Sequence, residues 1–295
     1  MEIPKISVLS PLVTRILGCN PGRFTLQGTN TYLIGKGKSR VLIDSGDGVP
    51  EYTNLVAEYV KSLGIEISAI FLTHWHHDHV NGVEPLLQHP ELGHCINRDA
   101  IYKYKLPGDD KLYPWKVQPF ADGQTFKGDG FSITGYHTPG HAKDHLVYWL
   151  EEEQVLFSGD NVLGQGTTVF EDLKAYIESL KKMIEIIKSK VGGPSPLVRT
   201  YPGHGHYVSD SIQLIQEYIQ HRTDRENNIV KVLELHHQDH GVDKPVHASN
   251  IVEVIYKDYP ESIWLAAERG VHLHLEKLAF EDKVERVSDK WKLKI

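Results

Sequence analysis

The chain has 295 residues, 40% hydrophobic and 24% charged, with a formal net charge of −7. That balance suits one large globular domain with or without a small appendage, and it gives no global basic footprint for nucleic acid. Two cysteines, Cys19 and Cys95, exclude a disulfide framework and read as buried apolar fillers; no stretch reaches the roughly 18 apolar residues of a membrane span.

Residues 1–18 lack a secretory signal pattern and are poor in arginine, so cytosol and organelle both stay open. Residues 30–35 (NTYLIG) and 40–46 (RVLIDSG) read as neighbouring strands, the second ending on Asp44. From 51 to 63, Leu55, Val56, Tyr59, Val60 and Leu63 recur at helical spacing. Residues 68–73 (SAIFLT) form a continuous apolar run, as in a strand covered on both faces. Directly at its end lies LTHWHHDHVNG (72–82), with four histidines and one aspartate within six positions.

Further strands are expected at 93–97, 131–138, 145–150 and 154–160. Residues 170–190 predict an amphipathic helix with Leu173, Ile177, Leu180, Ile184 and Ile187 as its apolar stripe. Residues 197–205 read as strand then turn, and a long helix opens near Ser209. The remaining chain reads helix, helix, helix, two-stranded ribbon, the order of a winged helix-turn-helix module. These patterns predict a main domain over 1–220 and a small winged-helix-like domain over 221–295.

The crowded turn alone is compatible with a metal site, an acid–base cluster or ordinary surface chemistry. His74 and His76 share one side of an extended segment, because side chains repeat with period two. If a helix follows, Asp78 and His79 project back from its first turn. Imidazole with carboxylate suits zinc, and four groups from one turn more readily serve two ions than one. Matching single ligands stand at other strand ends: His141 in YHTPGH, Asp160 in LFSGD and His204 in TYPGH. The repeated Pro-Gly-His is a sharp reversal that leaves an imidazole at a strand's C-terminal end. The spacing therefore predicts His74, His76 and His141 on one zinc, Asp78, His79 and His204 on a second, and Asp160 bridging. Each ion keeps an open position for a shared water or hydroxide, suited to displacement at a carbonyl or phosphate. His77 reads as a solvent-facing spacer, and His94, His236, His237, His240, His272 and His274 as surface or helix histidines.

THWHHDH (73–79), GH (140–141), GD (159–160) and GHG (203–205) together resemble the metallo-β-lactamase superfamily, over at least residues 12–206. The resemblance implies an α/β fold: an αββα four-layer sandwich with a dinuclear zinc site at one edge of the sheets. It implies that Asp44 in LIDSG hydrogen-bonds within the ligand loop. Asp at 160 and His at 79 point to the glyoxalase II-like hydrolase branch rather than to antibiotic-degrading members. Asp160 and His204 stand only 44 positions apart, which leaves no room for an inserted nucleic-acid-processing domain. RILGCNPGRFTLQGTNTYLIG (15–35), GQGTTVFEDL (164–173), YPGHG (201–205) and HLHLEKL (272–278) are similar to the beta-lactamase-like protein 2 family of animals. That family implies a mitochondrial-matrix endoribonuclease cleaving single-stranded RNA by a metal-bridged hydroxide, with no membrane association.

In that mechanism Asp78 orients the nucleophile or accepts its proton, and His145, four residues beyond His141, is the candidate donor to the leaving oxygen. Asn20, Thr29 and Asn30 either line the mouth or serve as turn residues. Residues 221–295 hold twelve Lys and Arg against fourteen Asp and Glu, so the tail is expected to pack beside the mouth rather than grip a duplex. Lys290, Trp291, Lys292 and Lys294 remain a candidate contact for a single strand. The competing reading is a small-molecule hydrolase of thioesters or lactones, which uses the same activated water.

Overall fold

A computed structural model describes residues 3–109, 112–193, 197–241 and 243–294. Its first sheet places β1 (Ile6–Val8), β2 (Val13–Leu17), β3 (Asn30–Ile34), β4 (Ser39–Ile43), β5 (Glu66–Phe71), β6 (Ile101–Lys103) and β7 (Gln118–Pro119) side by side in chain order. The second sheet does the same with β8 (Thr125–Gly128), β9 (Phe131–His137), β10 (Leu146–Leu150), β11 (Val155–Gly159) and β12 (Thr200–Pro202). Strands β4 to β7 pair in parallel, as do β11 and β12. Parallel neighbours need a crossover. Helix α1 (Pro50–Leu63) joins β4 to β5, α2 (His77–Val80) and α3 (Val83–Gln88) lie between β5 and β6, and α4 (Leu173–Val191) lies between β11 and β12.

Side-chain alternation produces the layers. In β10, Leu146, Tyr148 and Leu150 point into a core shared with Val41, Ile43 and Phe71 of the other sheet, while Val147 and Trp149 meet Leu173, Tyr176 and Leu180 of α4. On the opposite outer face Leu42 and Ile70 pack on Val56 and Val60 of α1. The period breaks once in β5, where Ile67 faces outward but Ala69 and Phe71 face inward. A register shift between Arg40 and Val41 accommodates it, leaving Ser68 as the extra residue. The αββα sandwich expected from the motifs is thus present.

Some local expectations differ from the fold. The buried face of α1 is Tyr52, Thr53, Val56, Ala57 and Val60, rotated from the expected stripe, and Leu63 is exposed at its end. Residues 93–97 do not form a strand: Gly93–Cys95 is a 3₁₀ turn, and only Ile96 touches the sheet as an isolated bridge. The Gly93 backbone packs so closely against the Leu87 carbonyl that a Cβ there would lie 2.2 Å from it. Cys19 and Cys95 are free and only partly buried, at the rim of the α1 core.

Helix α5 (Ser211–His240) runs unbroken through position 220. Its first half contributes Ile212, Ile215 and Tyr218 to the core under α4. Its second half contributes Ile229 and Leu233 to a separate core with α6 (Ala248–Ile255) and α7 (Trp264–Phe280). Strands β13 (Val246–His247), β14 (Val284–Val287) and β15 (Lys290–Leu293) complete this C-terminal unit as a three-stranded sheet of order β13-β15-β14. Among the described residues no helix is long and apolar enough to cross a membrane.

Candidate metal centre

Every expected ligand stands just beyond the C-terminal end of a strand, at one edge of the sandwich. Strand β5 ends at Phe71 and delivers His74 and His76; α2 then carries Asp78 and His79 in its only turn. His141 follows β9, Asp160 follows β11 and His204 follows β12. Two glycines make the approach possible. Gly140 has φ +130°, and a Cβ there would sit 2.3 Å from Tyr176 Cα. A Cβ at Gly203 would sit 2.2 Å from Asp160 Oδ1, inside the ligand cluster itself.

His74 Nε2 lies 2.9 Å from His76 Nδ1 and 3.2 Å from His141 Nε2, and His141 Nε2 is 2.9 Å from His76 Nδ1. Their other partners decide the tautomers. His141 Nδ1 donates to the Val169 carbonyl at 2.7 Å, so its Nε2 presents a lone pair. The Thr73 hydroxyl donates to Asp44 at 2.9 Å, so it accepts from His74 Nδ1 at 2.9 Å, and His74 Nε2 is also a lone pair. Two facing lone pairs repel unless a cation lies between them. Ligands of a tetrahedral zinc, each bound at about 2.0–2.1 Å, stand about 3.3 Å apart, close to the spacing found. Burial pushes the pKa of all three imidazoles down, His76 to about 4, which keeps them neutral.

The adjacent cluster is rich in carboxylates. Asp78 Oδ2 lies 3.1 Å from His204 Nε2 and 3.4 Å from His79 Nε2. Asp160 reaches both groups, with Oδ2 at 3.2 Å from His204 and 3.8 Å from His141, and Oδ1 at 3.5 Å from His79. Burial opposes charge on His79 and His204, but Asp78, Asp44 and Asp160 outweigh it at His79, and Asp160 and Asp78 at His204, which is raised to about 9. The site thus calls for positive charge, and a divalent cation supplies it without those protons. His79 Nε2 and Asp160 Oδ1 are buried with no hydrogen-bond partner, as donor atoms reserved for a cation would be. All seven expected ligands are brought together, in overlapping groups of three whose donor atoms are compatible with a divalent metal.

The surrounding hydrogen bonds fix these rings. Asp44, held at φ +60°, accepts from the Thr73 amide at 2.8 Å and from His79 Nδ1 at 2.7 Å. One carboxylate therefore orients His79 directly and His74 through Thr73. Asn20, Thr29 and Asn30 do not line the cavity. Thr29 and Asn30 are buried: the Thr29 hydroxyl donates to Asp78 Oδ2 at 3.1 Å, and Asn30 Nδ2 donates to the carbonyls of Pro202 and Gly205, each at 2.9 Å. Asn20 pins Thr29 from behind. Thr73, Thr168 and the Val169 carbonyl were not foreseen; a hydroxyl closing the buried run 68–73 was the available signal for Thr73.

His145 is misplaced for a proton donor. It is fully buried behind the ligands, where its Nε2 accepts from the Asp160 amide at 3.1 Å and its Nδ1 pairs with the Thr138 hydroxyl at 3.2 Å. Proximity to His141 in sequence put it on the wrong side of the turn, and it props the Asp160 backbone instead. His77 is exposed, as expected of a spacer. Of the basic and aromatic contact expected on the last strand, the aromatic part is not presented, while Lys290, Lys292 and Lys294 stay at the surface. Trp291 is buried, Lys292 pairs with Glu285 at 3.0 Å, and Lys294 pairs with Asp282.

A cavity of about 390 Å³ opens over the ligands. His76, Asp78, His141, Asp160 and His204 form its floor. Residues 23–26 form one wall, and Leu163 with residues 165–169 form the other. Arg23 is its one Lys or Arg among the described residues, and Phe24, Leu26, Leu163 and Val169 make the walls largely apolar.

Residues 24–216 match the model of the metallo-beta-lactamase superfamily, and residues 248–291 match the beta-lactamase associated winged helix domain. The chain is 39% identical to a beta-lactamase-like protein 2 homolog of Drosophila melanogaster, covering 97% of this chain and 94% of the relative. It is 38% identical to an atrochrysone carboxyl ACP thioesterase of Aspergillus chevalieri, covering 96% of this chain and 85% of the relative. The crystal structure of a beta-lactamase domain protein from Burkholderia ambifaria superposes with a TM-score of 0.76 at 17% identity, covering 98% of this chain and 93% of that one.

Proposed function

Because the chain belongs to the metallo-β-lactamase superfamily and carries the associated winged helix, we propose that it is a hydrolase using two zinc ions, with single-stranded RNA as substrate. The observation that carries the hydrolase reading is the convergence of seven His and Asp donors in two groups joined by Asp160. The RNA reading is supported by resemblance along almost the whole chain, winged helix included, to the beta-lactamase-like protein 2 family. A mitochondrial-matrix location belongs to the same proposal, with the cytosol as its alternative.

His74, His76 and His141 would hold one ion, and Asp78, His79 and His204 the other, with Asp160 between them. Two such ions, when bound, activate water near neutral pH and neutralise charge that develops on the reacting phosphate. The protein supplies orientation and proton handling. Asp78 lines the cavity while Thr29 donates to its Oδ2, and it would orient the attacking water or accept its proton while remaining a ligand. Phe24 and Val169 give the cavity apolar walls, and Arg23 meets substrate charge. With His145 buried, no titratable side chain other than the ligands and Arg23 lines the cavity among the described residues, so the leaving oxygen takes its proton from solvent.

That last feature favours a second reading. A thiolate leaves without a proton, since thiols ionise near a pKa of about 8.5. The apolar walls also suit an acyl chain, and at least three relatives, 38–45% identical, are named as thioesterases. Turnover of fluorescent single-stranded RNA, S-lactoylglutathione, an acyl-carrier thioester and nitrocefin, with and without chelator, separates the readings. Chelator-sensitive RNA cleavage is expected; thioester cleavage without RNA cleavage overturns the primary proposal in favour of the second.

A further inference from the structure

The cavity wall formed by residues 163–170 has no regular secondary structure, yet it carries the atoms that orient His141. A loop without a backbone ladder needs other ties to hold a carbonyl in one place. Most of the side-chain ties come from α5. The Tyr218 hydroxyl accepts from the Leu163 amide at 3.3 Å and donates to the Gly166 carbonyl at 2.7 Å. Arg222 Nη2 donates to the Thr168 carbonyl at 3.1 Å, and its guanidinium lies over the Phe170 ring at 4.9 Å. The next carbonyl, that of Val169, receives His141 Nδ1, and the Thr168 hydroxyl stands 3.2 Å from the same nitrogen. Arg222 is almost completely buried, where a guanidinium persists only if it satisfies specific acceptors.

We propose that Tyr218 and Arg222 are positioning residues for the metal centre. Through them α5 holds the 163–170 wall so that His141 presents Nε2 to the three-histidine site. The helix that begins the C-terminal unit thereby governs both the affinity of one metal position and the shape of the wall facing Phe24. The inference rests on the two-metal reading above. It assigns the C-terminal unit a task at the site that does not depend on its touching nucleic acid.

The test uses the full chain stripped of metal and titrated with zinc against a fluorescent chelator, then with cobalt(II) to read the ligand-field spectrum. Wild type is expected to take up two equivalents. Tyr218→Phe removes the hydroxyl while keeping the ring, and Arg222→Met keeps the stem without the donors. Each should weaken one equivalent tenfold or more, spare the other, and change the cobalt bands of that site, since groups that orient ligands govern affinity on this scale. Arg222→Lys restores a donor toward Thr168 and should return the affinity to within about threefold of wild type. Leu233→Ala, in the other half of α5, should lower the melting temperature and leave both affinities unchanged. Wild-type affinities in both Tyr218→Phe and Arg222→Met overturn the inference alone. So does an equal loss at both equivalents in all variants, Leu233→Ala included. Failure of wild type to take up metal overturns the two-metal reading, and the inference with it.

Discussion

Replacing Asp44 by Asn is a small change with a large expected effect on metal binding. Asn keeps the size of the side chain and tolerates the φ of +60° found there, so the backbone should hold. The carboxylate accepts three hydrogen bonds, from the Thr73 amide, the Thr73 hydroxyl and His79 Nδ1. An amide offers one accepting oxygen and one donating nitrogen. If the oxygen stays on the Thr73 amide, the NH₂ faces His79 Nδ1, which must then accept, moving the His79 proton onto Nε2 and toward the metal. The Thr73 hydroxyl gives up Oδ2 at 2.9 Å but keeps the oxygen at Oδ1, 3.1 Å away, so it still accepts from His74 Nδ1. The inversion at His79 removes an orienting partner of the kind worth 10–100-fold in metal affinity, or about 1.4–2.7 kcal/mol, and it falls on one ion only. Chelator-competition titration of Asp44→Asn should therefore show one equivalent weakened by about tenfold or more and the other much less affected. Both equivalents within about threefold of wild type would refute the orienting role of Asp44 at His79.

Other outcomes follow from the same geometry. His145→Ala should lower metal occupancy and turnover together, because it unseats the Asp160 amide; a steep loss of turnover at full occupancy would restore the proton-donor role. Gly140→Ala places a Cβ against the Tyr176 backbone at φ +130°, and urea unfolding should show a loss of about 3 kcal/mol; a loss below about 1 kcal/mol would mean the turn yields. His274, buried in α7, is held down to about 3 by burial and then by Arg222 and Arg225 of α5, Lys277 of its own helix and His221. Its folded pKa lies below the unfolded value of about 6.5, so the unfolded chain takes the proton first and stability falls as pH drops from about 6.5 toward 3. At pH 5 the penalty is about 2 kcal/mol, and His274→Phe should narrow the difference between urea stabilities at pH 7 and pH 5 by about that amount.

The ligands were legible in the sequence because each follows an apolar strand and sits on a turn with its own signature. Orientation was less legible. The spacing from His141 to His145 does not tell which side of a turn each ring takes, and only the Asp160 amide above His145 settles it. Thr29 and Asn30 look like loop residues; their work is the burial of single hydrogen bonds to Asp78 and to the carbonyls beside His204. Strands β6 and β7 are three and two residues long, too short for any period to register, yet they extend the sheet past β5. Lys103 is 1% exposed and lies 2.8 Å from Asp109 and 2.6 Å from Asp144. No sequence rule foretells a buried lysine whose partners come from two separate loops.

The continuity of α5 bears on how portable the parts of this protein are. The stretch matched as a winged helix begins at 248, but the core beneath it takes Ile229 and Leu233 from a helix that starts under the catalytic sandwich. Cut out at its matched boundaries, the winged helix would leave Ile251, Val271 and Leu275 facing water where those two side chains had been. The sandwich alone, ended at 216, would lack both Tyr218 and Arg222. Chimaeras that trade this tail between relatives should therefore be joined before Ser211, so that the helix travels with the unit it completes.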